Sequence, residues 1–128
     1  MTGVFRDDYA KCPRCSEALD SDGPLLACRA CRGVLIGEQK LVDMMLDAQV
    51  QALLHERKQP WARAPFVKSL DLVPPEVEEA ALQCPRCVVQ MEKHALYEVI
   101  VDRCPAHGVW LDGASELRDV LARAAALI

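Results

Sequence analysis

The spacing of the cysteines constrains this chain more than any other feature. Cys12-Pro13-Arg14-Cys15 is followed, after twelve intervening residues, by Cys28-Arg29-Ala30-Cys31. Cys84-Pro85-Arg86-Cys87 is followed, after sixteen intervening residues, by Cys104-Pro105-Ala106-His107. Each pair fits on one tight turn, and a two-stranded hairpin between the turns brings two pairs together. Four sulfur or imidazole donors gathered in this way meet the tetrahedral demand of a structural Zn²⁺. The expected ligands are Cys12, Cys15, Cys28 and Cys31 in one centre and Cys84, Cys87, Cys104 and His107 in the other, with two Zn²⁺ per chain. These sets use all seven cysteines. An odd count arranged as Cys-x2-Cys pairs favours metal in a reducing compartment over a secreted disulfide scaffold.

With 128 residues the chain is one ordinary domain or two very small ones. Modules of this size bury too little surface to fold unaided, so metal or mutual packing must contribute. Three segments are expected: 1–59, a four-cysteine hairpin with a long helix; 60–78, a proline-rich aromatic linker; and 79–128, a hairpin with three cysteines and one histidine and a closing helix. Because aromatic residues are only 5%, cores of Leu, Val, Ala and Met are expected. No apolar run has the length of a membrane span and the N-terminus lacks a signal-peptide core, so the chain reads as cytoplasmic.

Residues 1–11 are a polar lead-in. Asp20-Ser21-Asp22-Gly23-Pro24 is a dense turn cluster, and Leu25-Leu26-Ala27 is a short return strand. From about Glu38 to Gln59 the pattern is helical, with Leu41, Met44, Met45, Ala48 and Ala52 at three- and four-residue spacing, ended by Pro60. The methionines read as core filling, not as ligands. In the linker, Trp61 or Phe66 is expected to anchor an extended chain across the hairpins, and Glu76–Leu82 is expected to add a helical turn. His94 to Arg103 alternates like one strand, with Tyr97, Val99 and Val101 on one face and Leu96 and Ile100 on the other. The last helix begins near Asp112 to Ser115, either of which is a suitable cap. It carries Leu117, Val120, Leu121, Ala124 and Leu127 on one face.

The halves repeat. Cys31 to His107 and Leu41 to Leu117 are both offsets of 76 residues, and Met91 follows Cys84 as Leu19 follows Cys12. The repeat predicts pseudo-twofold packing in which the two helices cover each other's apolar faces.

Cys84-Pro85-Arg86-Cys87, Met91, Val101-Asp102-Arg103-Cys104-Pro105-Ala106-His107-Gly108-Val109-Trp110-Leu111-Asp112 and Glu116-Leu117 closely resemble the transcription factor IIB-type zinc-ribbon domain of small bacterial proteins. Residues 12 to about 46 resemble a degenerate copy. The departures are His107 where the family usually has cysteine, one extra residue before Glu116-Leu117, and no Trp-Leu-Asp in the first copy. The resemblance implies a small α+β fold of two zinc ribbons, β-hairpins with zinc knuckles, each followed by an α-helix. It implies no common activity.

The formal net charge is −4, and metal-bound thiolates would make it more negative. Phosphate-backbone binding wants the opposite sign. Lys11, Arg14, Arg29, Arg32, Arg86 and Arg103 lie on or beside the knuckles, and offsetting the thiolate–zinc charge is their favoured role over nucleic-acid contact. Catalysis is not expected: each metal set is closed by four protein ligands, His55 and His94 read as surface residues, and no nucleophile–base order or phosphate loop is present. The favoured reading is a non-enzymatic protein-interaction or adaptor module that docks a protein partner or a second copy of the chain. The alternative is a transcription-associated or nucleic-acid-binding protein using its knuckle arginines.

Overall fold

Each metal-ligand turn hands the chain to a short strand. In a computed structural model, which describes residues 10–56, 66–76 and 79–127, these strands build two three-stranded antiparallel ribbons. The first comprises β1 (Asp20–Asp22), β2 (Leu25–Ala27) and β3 (Val34–Ile36), followed by helix α1 (Glu38–Glu56). A two-residue strand, β4 (Leu72–Val73), precedes the second ribbon: β5 (Glu92–Leu96), β6 (Val99–Cys104) and β7 (Gly108–Leu111), followed by helix α2 (Ala114–Ala125). The ribbons join through β3 and β7 into one sheet of order β1-β2-β3-β7-β6-β5-β4. The fold is thus small α+β, as expected.

The junction has a pseudo-dyad. Val34 pairs with Leu111, Leu35 with Trp110 and Ile36 with Val109. Aligning Gly33-Val34-Leu35-Ile36 with Gly108-Val109-Trp110-Leu111 maps this set of pairs onto itself, with Leu35 and Trp110 astride the axis. Gly33 and Gly108 lie at equivalent places and both permit close approach. A Cβ on Gly33 would run into the Trp110 ring, and one on Gly108 would run into the Ile36 carbonyl oxygen. Gly108 also has φ +118°, which side chains rarely adopt.

Strand alternation divides the sheet into two faces. Val34, Ile36, Leu96, Val99, Val101, Val109 and Leu111 face the helices and enclose Leu41 and Met45 of α1 with Val120 and Ala124 of α2. The helices cover each other, as the repeat predicts, and Met45 is core. The opposite face carries a continuous register row, Leu26–Leu35–Trp110–Asp102–Lys93. Leu26, Leu35 and Trp110 pack there with Ala10, Leu19, Met91, Cys12, Cys28, Cys84 and Cys104. Leu19 and Met91, matched in sequence, thus occupy the same layer.

Several expectations are corrected. His94 to Arg103 is not one strand, because Tyr97 (φ 50°) and Glu98 (φ 71°) form a two-residue turn between β5 and β6. Two positive-φ residues match the twist of a hairpin, and the turn resets the alternation so that Leu96 pairs with Val99 on the helix-facing side. Helix α2 is capped by Gly113 without a side-chain hydrogen bond; Asp112 is engaged elsewhere. Phe66 is 37% exposed, and Val67, Leu70 and Leu72 pack on the core in its stead. No helix forms at residues 79–82. Trp61, Pro60 and residues 1–9 lie outside the described residues.

The polar Gln49 is fully buried in α1. Its Nε2 donates to the Ala124 carbonyl (2.9 Å), and its Oε1 accepts from the Val67 backbone N–H (2.8 Å). One side chain therefore ties the end of α2 and the incoming 66–76 segment to α1, with both ends of the amide satisfied.

Candidate metal centres

The first knuckle of each ribbon is built by the same backbone hydrogen bonds. The Ser16 N–H donates to the Cys12 carbonyl (2.9 Å), that of Cys12 to Glu17 (2.8 Å) and that of Leu19 to Ala10 (3.0 Å). In the second ribbon, the N–H groups of Val88, Cys84 and Met91 donate to the carbonyls of Cys84, Val89 and Leu82, each at 2.8 Å. Both turns close through a positive-φ residue, Ser16 (67°) and Val88 (60°). The other knuckles differ by one residue. Arg32 (φ 70°) separates Cys31 from Gly33, whereas Gly108 follows His107 directly and itself takes the positive φ. This deletion explains why the strands that follow align at an offset of 75 and the ligands of these second knuckles at 76.

The turns bring together both expected sets of donors. The ligand atoms of Cys12, Cys15, Cys28 and Cys31 all lie within 4.8 Å of one another, as do those of Cys84, Cys87, Cys104 and His107. The sulfurs of Cys15 and Cys28 are 3.6 Å apart, and those of Cys87 and Cys104 are 3.7 Å apart. His107 turns Nδ1 inward, 3.5 Å from the Cys84 sulfur and 3.6 Å from the Cys104 sulfur. A tetrahedral ion with Zn–S near 2.3 Å and Zn–N near 2.0–2.1 Å sets S···S at about 3.8 Å and S···N at about 3.5 Å. The donor sets fit two zinc ions in size, number and chemistry. With four protein donors each, they fit structural and not open catalytic sites.

Backbone amides prepare the sulfurs for negative charge. The N–H groups of Arg14, Cys31 and Arg86 donate to the sulfurs of Cys12 (3.4 Å), Cys28 (3.3 Å) and Cys84 (3.4 Å). Without metal the thiols differ. Burial pushes Cys28 up, but the Cys31 N–H and its sulfur neighbours outweigh this and bring it down to about 7. The hydrogen bond with Cys15, reinforced by burial, pushes Cys31 up to about 12. Burial pushes Cys84 up to about 11.

A polar clamp at the sheet junction joins the two ribbons. Arg14, between Cys12 and Cys15, donates Nε (3.0 Å) and a terminal nitrogen (2.7 Å) to the two oxygens of Asp112, and Trp110 Nε1 donates to one of these oxygens at 2.9 Å. Burial raises the Asp112 carboxyl, but the bonds from Arg14 and Trp110 hold it below its usual range. In sequence Asp112 reads as a helix cap; the Trp-x-Asp spacing, which puts both side chains on one strand face, is the signal for this second role. Lys93 and Asp102, also missed in sequence, form a buried ion pair at 3.0 Å. Arg29 is held by Asp20 (2.7 Å), and Arg103 by Glu38 (2.6 Å) and Glu92 (3.3 Å). His94 contacts Glu92 (3.0 Å), and His55 is exposed at the end of α1, so neither joins a donor set.

Residues 83–123 match the family model described as transcription factor zinc-finger, the TFIIB-type zinc ribbon. The match takes in the second metal centre, β5 to β7 and most of α2. The four-cysteine group at 12–31 is consistent with a tandem copy. No curated protein and no solved structure matches the chain.

Proposed function

We propose, starting from a TFIIB-type zinc ribbon at residues 83–123 and a second metal centre at 12–31, that this protein is a non-enzymatic adaptor whose paired ribbons form one platform for docking a protein partner or a second copy of itself. The observation that carries this reading over nucleic-acid binding is the fate of the knuckle arginines. Arg14, Arg29 and Arg103 are each bonded to a carboxylate of the same chain. Charge already paired in this way has less to gain from a phosphate, because affinity for the backbone comes from cations that displace condensed counterions. The acidic net charge supports the same reading.

The outer surface offers apolar contact. Val88 and Val89 at a knuckle tip are 66% and 62% exposed, and Leu54 on α1 is 68% exposed. A groove of about 660 Å³ between β4, β5 and β6 is lined by Val73, Ala95 and Ile100 with Glu76 and Glu98, and holds neither a histidine nor a thiol among its described lining residues. The closed metal sets, with four protein donors each, support a binding role without catalysis. No helix among the described residues is long and apolar enough to cross a membrane.

The nucleic-acid reading draws on one observation, the family description itself. Fluorescence anisotropy with single- and double-stranded DNA and RNA at low salt separates the two. The adaptor reading expects no salt-sensitive binding, together with a stoichiometric protein partner or a concentration-dependent self-association. Salt-sensitive binding that Arg14→Gln or Arg29→Gln weakens would overturn it.

A further inference from the structure

We propose that the two zinc centres are coupled binding sites, and that Asp112, Arg14 and Trp110 are the positioning residues that couple them. This rests on metal binding at the two donor sets and needs nothing of the adaptor reading. His107 is the last donor of the second centre, and the chain runs from it directly into β7. Trp110 of β7 sits fully buried at the pseudo-dyad, and Asp112 follows two residues later. The Asp112 carboxylate crosses the junction to hold Arg14 through two hydrogen bonds while accepting from the Trp110 indole. Arg14 lies between two donors of the first centre, and its own N–H donates to the Cys12 sulfur.

An ion that fixes His107 therefore fixes β7 and Asp112, and Asp112 fixes the turn that presents Cys12 and Cys15. The path reads equally well in reverse. The same layer carries a second link: Cys12 and Cys28 of one centre and Cys84 and Cys104 of the other pack in one apolar cluster around Leu35 and Trp110. The first ion to bind orders that layer, and the second binds to a partner already ordered, which is positive coupling between sites. Linkage makes the coupling reciprocal: each ion raises the affinity of the other site by the same factor. Gly37 stands at the pseudo-dyad equivalent of Asp112 and brings no carboxylate, so this position does not repeat the clamp.

The test uses the full chain and Co²⁺ or Zn²⁺ alone. His107→Ala weakens the second centre without touching a first-site donor. First-site affinity is then read by chelator competition, with the Co²⁺ absorption bands separating a four-sulfur from a three-sulfur, one-nitrogen site. The expected result is a fall of about tenfold at the first site, within the usual span of coupled sites. Cys31→Ser, which weakens the first centre, is expected to lower second-site affinity in turn. Repeated in an Asp112→Asn background, which keeps an acceptor for Trp110 but removes the charge that holds Arg14, His107→Ala should cause a clearly smaller further fall, since only the apolar layer is left to link the centres. A purely structural role for Asp112 would leave the effect of His107→Ala unchanged in that background, and that outcome overturns the clamp. Unaltered first-site affinity in His107→Ala overturns the coupling itself. Native mass spectrometry at substoichiometric zinc gives an independent reading that needs no ligand variant. Asp112→Asn is expected to raise the singly loaded fraction relative to wild type, and an unchanged distribution counts against the proposal.

Discussion

Replacing Asp102 by alanine is expected to remove about 3–4 kcal/mol of stability, and the structure supplies the reasons. Asp102 is 1% exposed. Its carboxylate accepts from Lys93 Nζ at 3.0 Å and from the Leu82 backbone N–H at 2.9 Å. The Lys93 side chain is itself only 10% exposed, and its other carboxylate, Glu79, stands farther off at 3.5 Å on a half-exposed side chain. Alanine strands the Leu82 N–H and takes from Lys93 the nearer and more buried of its two carboxylates. Truncating one partner of a buried pair costs roughly 3–5 kcal/mol, and an unpaired buried N–H adds about 1–3 kcal/mol. The remaining Glu79 and solvent reaching the ammonium offset part of this, which gives the expected figure. A loss of that size is a large fraction of the roughly 5–15 kcal/mol that holds a domain folded. Urea unfolding in zinc-buffered solution, with free metal fixed, measures it as a lower midpoint at unchanged slope. Adding Lys93→Met should recover most of the loss, since the second change removes the stranded charge. A loss below about 1 kcal/mol, or a double variant no more stable than Asp102→Ala, refutes the argument.

Elemental analysis is expected to find two zinc ions per chain, and chelation to unfold the protein; one ion per chain would leave a donor set unused. His107→Cys should retain both ions and the fold, whereas His107→Ala should loosen the second centre, with X-ray absorption showing loss of the nitrogen donor; unchanged metal affinity in the alanine variant would show that His107 is not a ligand. Gly108→Ala should destabilise by more than Gly23→Ala in thermal melts, because both glycines have positive φ but only at Gly108 would the new Cβ meet backbone, at Ile36; equal losses would show that the junction yields. Cys31 and Cys84, raised to about 12 and about 11, are protonated in the metal-free protein at neutral pH, so zinc binding releases protons and affinity falls as pH falls. Calorimetric titrations in buffers of different ionisation enthalpy should report that release, and heats independent of buffer would contradict it.

The donor sets were legible because their signal is local: a Cys-x2-Cys pair needs only its own turn. The turn clusters, β2 and the two helices were legible for the same reason. The division between β5 and β6 was not. Tyr97 and Glu98 take positive φ with neither glycine nor asparagine to announce it, and their alternation continues smoothly through the turn. Gln49 interrupts the apolar stripe of α1 in sequence, yet it is buried because partners 18 and 75 residues away satisfy its amide. Asp112 shows the limit most clearly. A carboxylate just before a helix reads as a cap, and only the junction of the two ribbons reveals that its partner is Arg14, 98 residues earlier.

The two ends of the sheet are both poor templates for another strand. β1 is three residues long and rich in aspartate, and Asp20 is turned to Arg29. β4 is two residues long and runs straight into Pro74 and Pro75, which donate no N–H. Short, charged or proline-terminated edges are how β-proteins avoid growing into fibrils. Both edges of this largely apolar sheet are therefore of the kind that disfavours edge-to-edge growth. For the same reason, a partner of the kind proposed above would have to read side chains, since neither edge offers a long ladder to extend.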